Sequence, residues 1–479
     1  MTTFKPRADL GDQAFDLGSA RLALPRVDAA GLPVVTARDL AHVPGKAGLP
    51  LLGTLPEAVI DPRTFAQRMY DRYGPVHRFF ASGSWNVQLI SPEANELVLF
   101  DQERRFSAEH GWSPVLRRFF PAALLMRDGD DHRMHRRLLG GAFKPQQLRG
   151  YLDIFGRDVE RCVASWSGRR IEGYAAIKAL MLDSAAPSFL GLPLGPEADA
   201  VGRAFTDLMG SLIAVLPAWM PRSAAAKGFA GRAYMTRFIE REIPRRRANP
   251  GKDLFSQLCT LVDDDGRELP TSEVVDLMIF VLAAAHDTIT SSNTSMLYFL
   301  GRHPEWQDRL REELLGVAAP GQPVPIEAFS KLEVTERFIK EVLRLNPPAP
   351  IVWRRATTPY SIGGFDLPAG TITGVNPLIT HRLPEHWPDP ERFDPDRFLP
   401  EAVAARHRFA YIPFGGGIHM CLGLHYSMMQ TKLVLHRVLA GHRVEVPDDY
   451  RPRWYWWPNA RPLNGLPVTF APLTGGAKA

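Results

Sequence analysis

One cysteine stands in a glycine-rich setting, Phe414-Gly415-Gly416-Gly417-Ile418-His419-Met420-Cys421-Leu422-Gly423. Consecutive glycines reach backbone conformations closed to other residues and let the chain approach a flat ligand closely. Beyond Cys421, Leu424, Met428, Leu433, Leu435, Val438 and Leu439 have the spacing of a helix packed on one face. The cysteine therefore falls where a loop enters a helix N-terminus, and there backbone N–H groups and the helix dipole favour a thiolate. A thiolate is a strong metal ligand; on haem iron it pushes electron density onto the metal and favours O–O cleavage. The alternative, on these residues alone, is a buried structural cysteine on a tight turn.

A second group lies in an apolar helix. Pro270-Thr271-Ser272-Glu273 offers a Thr/Ser cap and an acid in the first turn, which predicts a helix start. The run Leu277 to Ala285 has no polar face, so this helix is buried. Asp287 and Thr288 then arrive within a polar stretch from His286 to Thr294. Buried polar groups need partners or held water, and the Thr288 hydroxyl can bond the Ala284 carbonyl four residues back. Local satisfaction and a functional site both account for the stretch. Glu341 and Arg344 are i,i+3 neighbours on a helix ending at Asn346-Pro347-Pro348. Alone, such a pair is ordinarily a surface ion pair worth less than about 1 kcal/mol. His132 and His135, in a helix running to Phe143, have the spacing of an i,i+3 metal pair, but no third ligand completes a site.

The elements that must hold these residues are mostly helical. From 130 to 345 helical patterning dominates, with breaks at Gly191-Leu192-Pro193, 217–221, 249–252 and 319–325. Val87-Gln88-Leu89-Ile90 is a short strand ended by Ser91-Pro92, and short strands framed by Gly and Pro recur at 360–365 and 371–375. The segment 386–400 is too proline-dense for regular structure. The expected architecture is mainly α with a smaller β component, one domain over residues 44–474, an N-terminal extension 1–43 and a tail 475–479. A chain of 479 residues, 45% hydrophobic and 23% charged, has the composition of an ordinary folded protein. Three cysteines exclude a Cys₄ zinc site or an iron–sulfur cluster; Cys162 and Cys259 are expected in the core. The net charge of +5 is mild, and Arg245-Arg246-Arg247 after Pro244 reads as a solvated loop at a helix end, with no nucleic-acid partner. The first 40 residues carry charges throughout and lack a signal-peptide core. The longest apolar run, nine residues, is about half the roughly 20 needed to span a bilayer. A cytoplasmic protein with no transmembrane anchor is expected.

Phe414-x-x-Gly417-x-His419-x-Cys421-x-Gly423 resembles the haem-binding signature of the cytochrome P450 family, in the form of its soluble bacterial members. Three further motifs stand in the family's order. Ala284-Ala285-His286-Asp287-Thr288 is similar to its oxygen-activation motif, with Ala285 where glycine is commonest and Ile289 in place of a second Thr or Ser. Glu341-x-x-Arg344, with Phe393-Asp394-Pro395-Asp396-Arg397-Phe398, is similar to its buried triad. His132-x-x-x-Arg136 is similar to the pair that holds the haem propionates, with Arg354, rather than adjacent Arg355, as a second arginine.

The resemblance runs from about Pro44 to Phe470 and implies a cytochrome P450 fold with haem b between buried helices. It implies Cys421 as the iron ligand, His419 near a propionate, Phe414 packed by the sulfur and Gly423 within the same cofactor-binding loop. Asp287 would relay protons and Thr288 would bond the bound oxygen; Glu341, Arg344 and Arg397 would be structural. Substrate contacts are expected at 110–125, which holds Trp112 and Phe119, at 282–288, 350–353 and 456–458, with Ala284, Val352, Trp353 and Trp457 as candidates. The cluster Trp454-Tyr455-Trp456-Trp457 reads equally well as core.

The activity so implied is a monooxygenase that activates O₂ and hydroxylates or epoxidises a lipophilic molecule, a terpenoid, steroid, fatty acid or aromatic. No flavin or nicotinamide fingerprint occurs, so a separate ferredoxin- or flavodoxin-type partner is expected to supply electrons to a monomer. Arg133, Arg137, Lys144, Arg406, Arg408 and Lys432 are the expected docking residues for an acidic ferredoxin. A peroxide-dependent or isomerising enzyme is the alternative within the haem class, opposed by Asp287-Thr288. A haem-binding sensor is the alternative outside enzymes, opposed by the lack of an attached signalling segment.

Overall fold

Apolar residues at helical spacing fill the middle of the chain, and helices form there. The computed structural model describes residues 27–28, 30–141, 143–212, 218–262 and 265–473. Residues 1–26 of the expected extension and the tail 475–479 lie outside them. The helices of nine residues or more are α1 (Pro62–Tyr73), α2 (Pro92–Phe100), α3 (Ala108–Leu116), α4 (Gly129–Gly141), α5 (Pro145–Trp166), α6 (Gly173–Phe189), α7 (Pro196–Ser211), α8 (Ala224–Ala248), α9 (Thr271–Arg302), α10 (Pro304–Val317), α11 (Glu333–Leu345) and α12 (Leu424–Leu439).

The apolar run of α9 makes it the axis of the main core: Leu277, Met278, Ile279 and Leu300 are buried, and the helix packs on α6, α8, α11 and α12. Among the described residues it is the one helix long and apolar enough to cross a membrane, and 72% of its apolar window is buried inside the protein. Its start differs from expectation. Pro270 is the cap residue and makes no side-chain bond, while Glu273 reaches across to the His135 ring, 2.7 Å away.

Six short strands form the main sheet: β1 (Gly45–Lys46), β2 (Val76–Ala81), β3 (Ser84–Leu89), β4 (Phe106–Ser107), β5 (Val352–Ala356) and β6 (Ile372–Val375), in the order β1-β2-β3-β6-β5-β4. β5 runs antiparallel to β6 with Arg354 opposite Thr373. Side chains alternate along a strand, so Val352 and Arg354 share one face of β5 and Trp353 and Arg355 the other. Arg355 ties down the segment before β1: it pairs with Asp28 and donates to the Pro33 and Gly370 carbonyls. Leu40 and Val43, within the span read from sequence as a loosely patterned extension, are buried in the core beside the sheet.

The Arg245–Arg247 run is not a solvated loop. α8 continues through Pro244 to Ala248; Arg246 is buried, pairs with Asp253 at 2.6 Å and lies over Phe255. Arg247 donates to the Cys259 and Leu269 carbonyls. Cys259 is fully buried and Cys162 half-buried.

Candidate active site

The glycine loop packs closely on α2. Gly417 has φ +61°, and a Cβ there would lie 2.0 Å from the Leu99 carbonyl oxygen. The loop then turns back on itself, with the Cys421 amide donating to the Phe414 carbonyl at 2.9 Å. Gly423 caps α12, so Cys421 sits just before the helix. Its side chain is open to solvent yet crowded by protein on its other sides. That crowding raises the thiol pKa, against the pull of the Gly423 N–H and the Arg136 charge.

A cationic cluster surrounds this loop. His132 and His135 of α4 are both buried; His135 is spent on Glu273, while the His132 ring lies 3.9 Å from that of His419. Among the described residues no group of three or more His, Cys, Asp or Glu is placed to hold a metal ion, and no third ligand stands with His132 and His135. His419 faces Asp128 at 3.6 Å. Asp128, which the sequence reading did not single out, also accepts from Ser107 and from the Ala108 amide. Burial opposes its charge, but these bonds and His419 prevail and lower it to about 2. Burial first, then the charges of His419 and Arg136, push His132 down to about 3. Burial alone drives Arg354 down to about 10, against Asp128 and Asp101.

These groups fit a haem. The His132 Nδ1 is buried without a hydrogen-bond partner. Arg354 is buried and, among the described residues, its guanidinium makes one hydrogen bond, to the Trp353 carbonyl. Asp128 faces His419 and, with Asp101, acts on Arg354, so the buried His132 nitrogen and the Arg354 guanidinium remain for the two carboxylates of a dianionic macrocycle. Arg355, committed to Asp28 and two carbonyls, is not available for this.

α9 carries the acid and the hydroxyl. Ala284 is exposed, and Ala285, Asp287 and Thr288 are half-buried, in a helix otherwise largely buried; one face is therefore left uncovered by protein. The Thr288 hydroxyl donates to the Ala284 carbonyl at 2.7 Å, which leaves its lone pairs to accept. Thr290, Ser292 and Thr294 make the same bond four residues back, so most of the polar stretch is locally satisfied. Asp287 bonds the ring of its neighbour His286 at 2.8 Å.

Behind the loop, Arg344 makes two 2.7 Å bonds to Glu341, and both side chains are fully buried. Arg397 stands 3.7 Å from the same carboxylate. His381, also absent from the sequence reading, accepts from the Ile412 amide at 2.9 Å and lies 3.3 Å from the Arg344 carbonyl. It thereby joins α11 to the chain entering the cysteine loop.

Trp353 is taken off the site by strand alternation: it packs on Phe79 beside Phe65 and Met69, on the face of β5 away from Arg354. Trp456 belongs to a small core with Leu378 and Ala460, against which Trp454 packs, whereas Trp457 is half-buried outside it. Two expected docking residues are committed elsewhere. Lys432 is buried against Glu336 and the Phe329 carbonyl, and Arg406 lies 3.8 Å over Trp387.

The family profile described as Cytochrome P450 matches residues 43–455. The chain is 35% identical over 441 residues to the protein named cytochrome P450 136 of Mycobacterium tuberculosis, covering 90% of this chain and 89% of that one. It is 26% identical over 421 residues to lanosterol 14-alpha demethylase of Rattus norvegicus, covering 84% and 82%. The structure titled retinoic acid bound cyanobacterial CYP120A1 superposes with a TM-score of 0.83 at 27% identity, covering 92% of this chain and all of that one. With a family match across most of its length, the chain belongs to the cytochrome P450 family of haem-thiolate monooxygenases.

Proposed function

We propose that this monooxygenase oxidises a lipophilic small molecule, with Cys421 as iron ligand and His132, Arg136, Arg354 and His419 on the haem propionates. The observation that supports the reading is a pair of buried, uncommitted groups, the His132 Nδ1 and the Arg354 guanidinium, in a chain with an open cysteine at the loop. When bound, the haem supplies O₂ activation with electrons from a separate redox partner. The chain's own residues then do the rest. The Gly423 N–H and Arg136 favour the charged form of the Cys421 sulfur, and Gly417 locks the loop against α2. Thr288, its hydroxyl hydrogen-bonded to the Ala284 carbonyl, offers acceptor lone pairs on the open face of α9, and Asp287 beside it, in contact with the His286 ring, is the acid that passes protons on. Ala284, Val352 and Trp457 are the substrate-contact candidates that remain. A steroid or a retinoid is the substrate class we favour, because one relative is a lanosterol demethylase and one solved relative binds retinoic acid. The protein would act in the cytoplasm.

The test is spectroscopic. The reduced, carbon monoxide-treated protein is expected to show the strongly red-shifted absorbance of a thiolate-ligated haem, and Cys421→Ala to lose it. A Cys421→Ala protein that keeps the band would end the ligand assignment.

A further inference from the structure

The polar midpoint of α9 has a second face. Leu282 and His286, one turn apart, point away from the open Ala284/Thr288 face and line a cavity of about 400 Å³ between α6, α7 and α9. Leu182 and Ala186 of α6 and Phe205 of α7 form its walls, and Asp183 and Asp199 also line it. The His286 ring is buried, edge-on to Phe205 at 5.2 Å, with Nε2 3.4 Å from the Lys178 carbonyl. Its Nδ1 is 2.8 Å from Oδ1 of Asp287. An ionised carboxylate only accepts, so this contact requires a proton on one of the two atoms. The imidazole thus both lines the cavity and touches the acid.

We propose that His286 is the positioning residue for Asp287, holding the carboxylate by Nδ1 and passing it protons drawn from solvent in the α6–α7 cavity. In the transfer the Nδ1–H bond breaks as Oδ1–H forms. Water in the cavity, re-protonated from bulk solvent, gives a proton to Nε2 as the Nδ1–H bond breaks, so no imidazolate forms; a turn of the ring then presents an N–H to Asp287 again, and charge, proton count and tautomer are restored. An imidazole suits the task because its two nitrogens can accept on one side and donate on the other. The inference rests on the reading of Asp287 as the acid that delivers protons, and it adds an entry route and a residue to that reading.

His286→Gln keeps an N–H donor toward Asp287 but has no second titrating nitrogen; His286→Leu removes both. Ala198→Trp fills the cavity, which Ala198 lines, without touching the pair. In the reduced carbon monoxide form of the holoenzyme, histidine-selective ¹⁵N spectra should contain one ring signal that His286→Gln abolishes and Asp287→Asn shifts. In reductase-driven turnover, all three variants should divert electrons from product to hydrogen peroxide, lowering the product fraction about tenfold or more, with half-saturation of the substrate-induced spin shift unchanged. The proposal is overturned if the ring signal ignores Asp287→Asn, or if His286→Gln couples like wild type while Asp287→Asn does not; the latter leaves the acid's role standing. If Asp287→Asn itself couples normally, the reading of Asp287 fails and this inference falls with it.

Discussion

Arg354 and Arg355 are adjacent in sequence and opposite in use. Strand alternation turns Arg355 outward to Asp28 and Pro33, and turns Arg354 inward, buried with no ion-pair partner among the described residues. Arg354→Leu should therefore weaken haem retention. A charge-assisted bond is worth about 1.5–3 kcal/mol, or roughly 10- to 100-fold in the rate of haem transfer to a scavenging protein. Arg355→Leu should leave that rate unchanged and lower the unfolding free energy by about 1–3 kcal/mol, read by urea denaturation. Equal haem loss in both variants would contradict the division. Motif order in the sequence points to Arg354 without showing what either arginine touches, and Trp353, in the same five residues, is expected there at the substrate. Its bulk and apolarity suggested a pocket wall; only the register with β6 shows that it shares a face with Arg355.

Elements hide burial from the sequence in a similar way. The periodicity of α11 shows where Glu341 and Arg344 sit on the helix but not its depth, and an isolated Glu-x-x-Arg is usually a solvated pair. Here both are fully buried, and the reason lies in carbonyls of His381, Pro390 and Arg392 that close round the guanidinium. Those acceptors are backbone atoms some 40 residues away, which no side-chain pattern announces. The helices between 130 and 345 and α12, with the short strands at β3 and β6, were legible because burial follows their periodicity, whereas α1, α2 and α3 were not. His381 shows the limit, since its partners are the Ile412 amide and the Arg344 carbonyl. Burial first, then the charges of Arg344 and Arg382, lower His381 to about 3. Above the ordinary value near 6.5 the ring is neutral folded or unfolded, and its contribution is constant. Between there and about 3 the unfolded chain binds a proton that the folded protein refuses, so stability falls on acidification by up to about 1.4 kcal/mol per pH unit. His381→Gln should remove that slope, and urea unfolding of both proteins at pH 7, 6 and 5 would show their difference shrinking as pH drops. Parallel curves would mean that His381 does not titrate as a buried neutral ring.

For the molecule as a whole, the question is how electrons arrive. Burial reduces the six expected docking residues to four: Arg133, Arg137, Lys144 and Arg408 are exposed, while Lys432 and Arg406 are committed inside. Arg133 and Arg137 are one turn apart on α4, the helix whose Arg136 lies near the Cys421 sulfur, and Lys144 immediately precedes α5. A basic surface beside the helix that approaches Cys421 suits an acidic partner, because charge complementarity acts chiefly on encounter and orientation. Exposed charges are screened: the Debye length falls from about 30 Å at 0.01 M salt to about 8 Å at 0.15 M. With an acidic ferredoxin as electron donor, Arg137→Glu should raise the half-saturating ferredoxin concentration about tenfold at low salt, and the penalty should shrink as salt rises. Lys432→Gln should leave the ferredoxin dependence alone and reduce stability instead, because it strips Glu336 and the Phe329 carbonyl of a buried donor. Steady-state reduction assays over a salt series separate the two. Turnover indifferent both to salt and to Arg137→Glu would move the electron-entry surface elsewhere on the molecule.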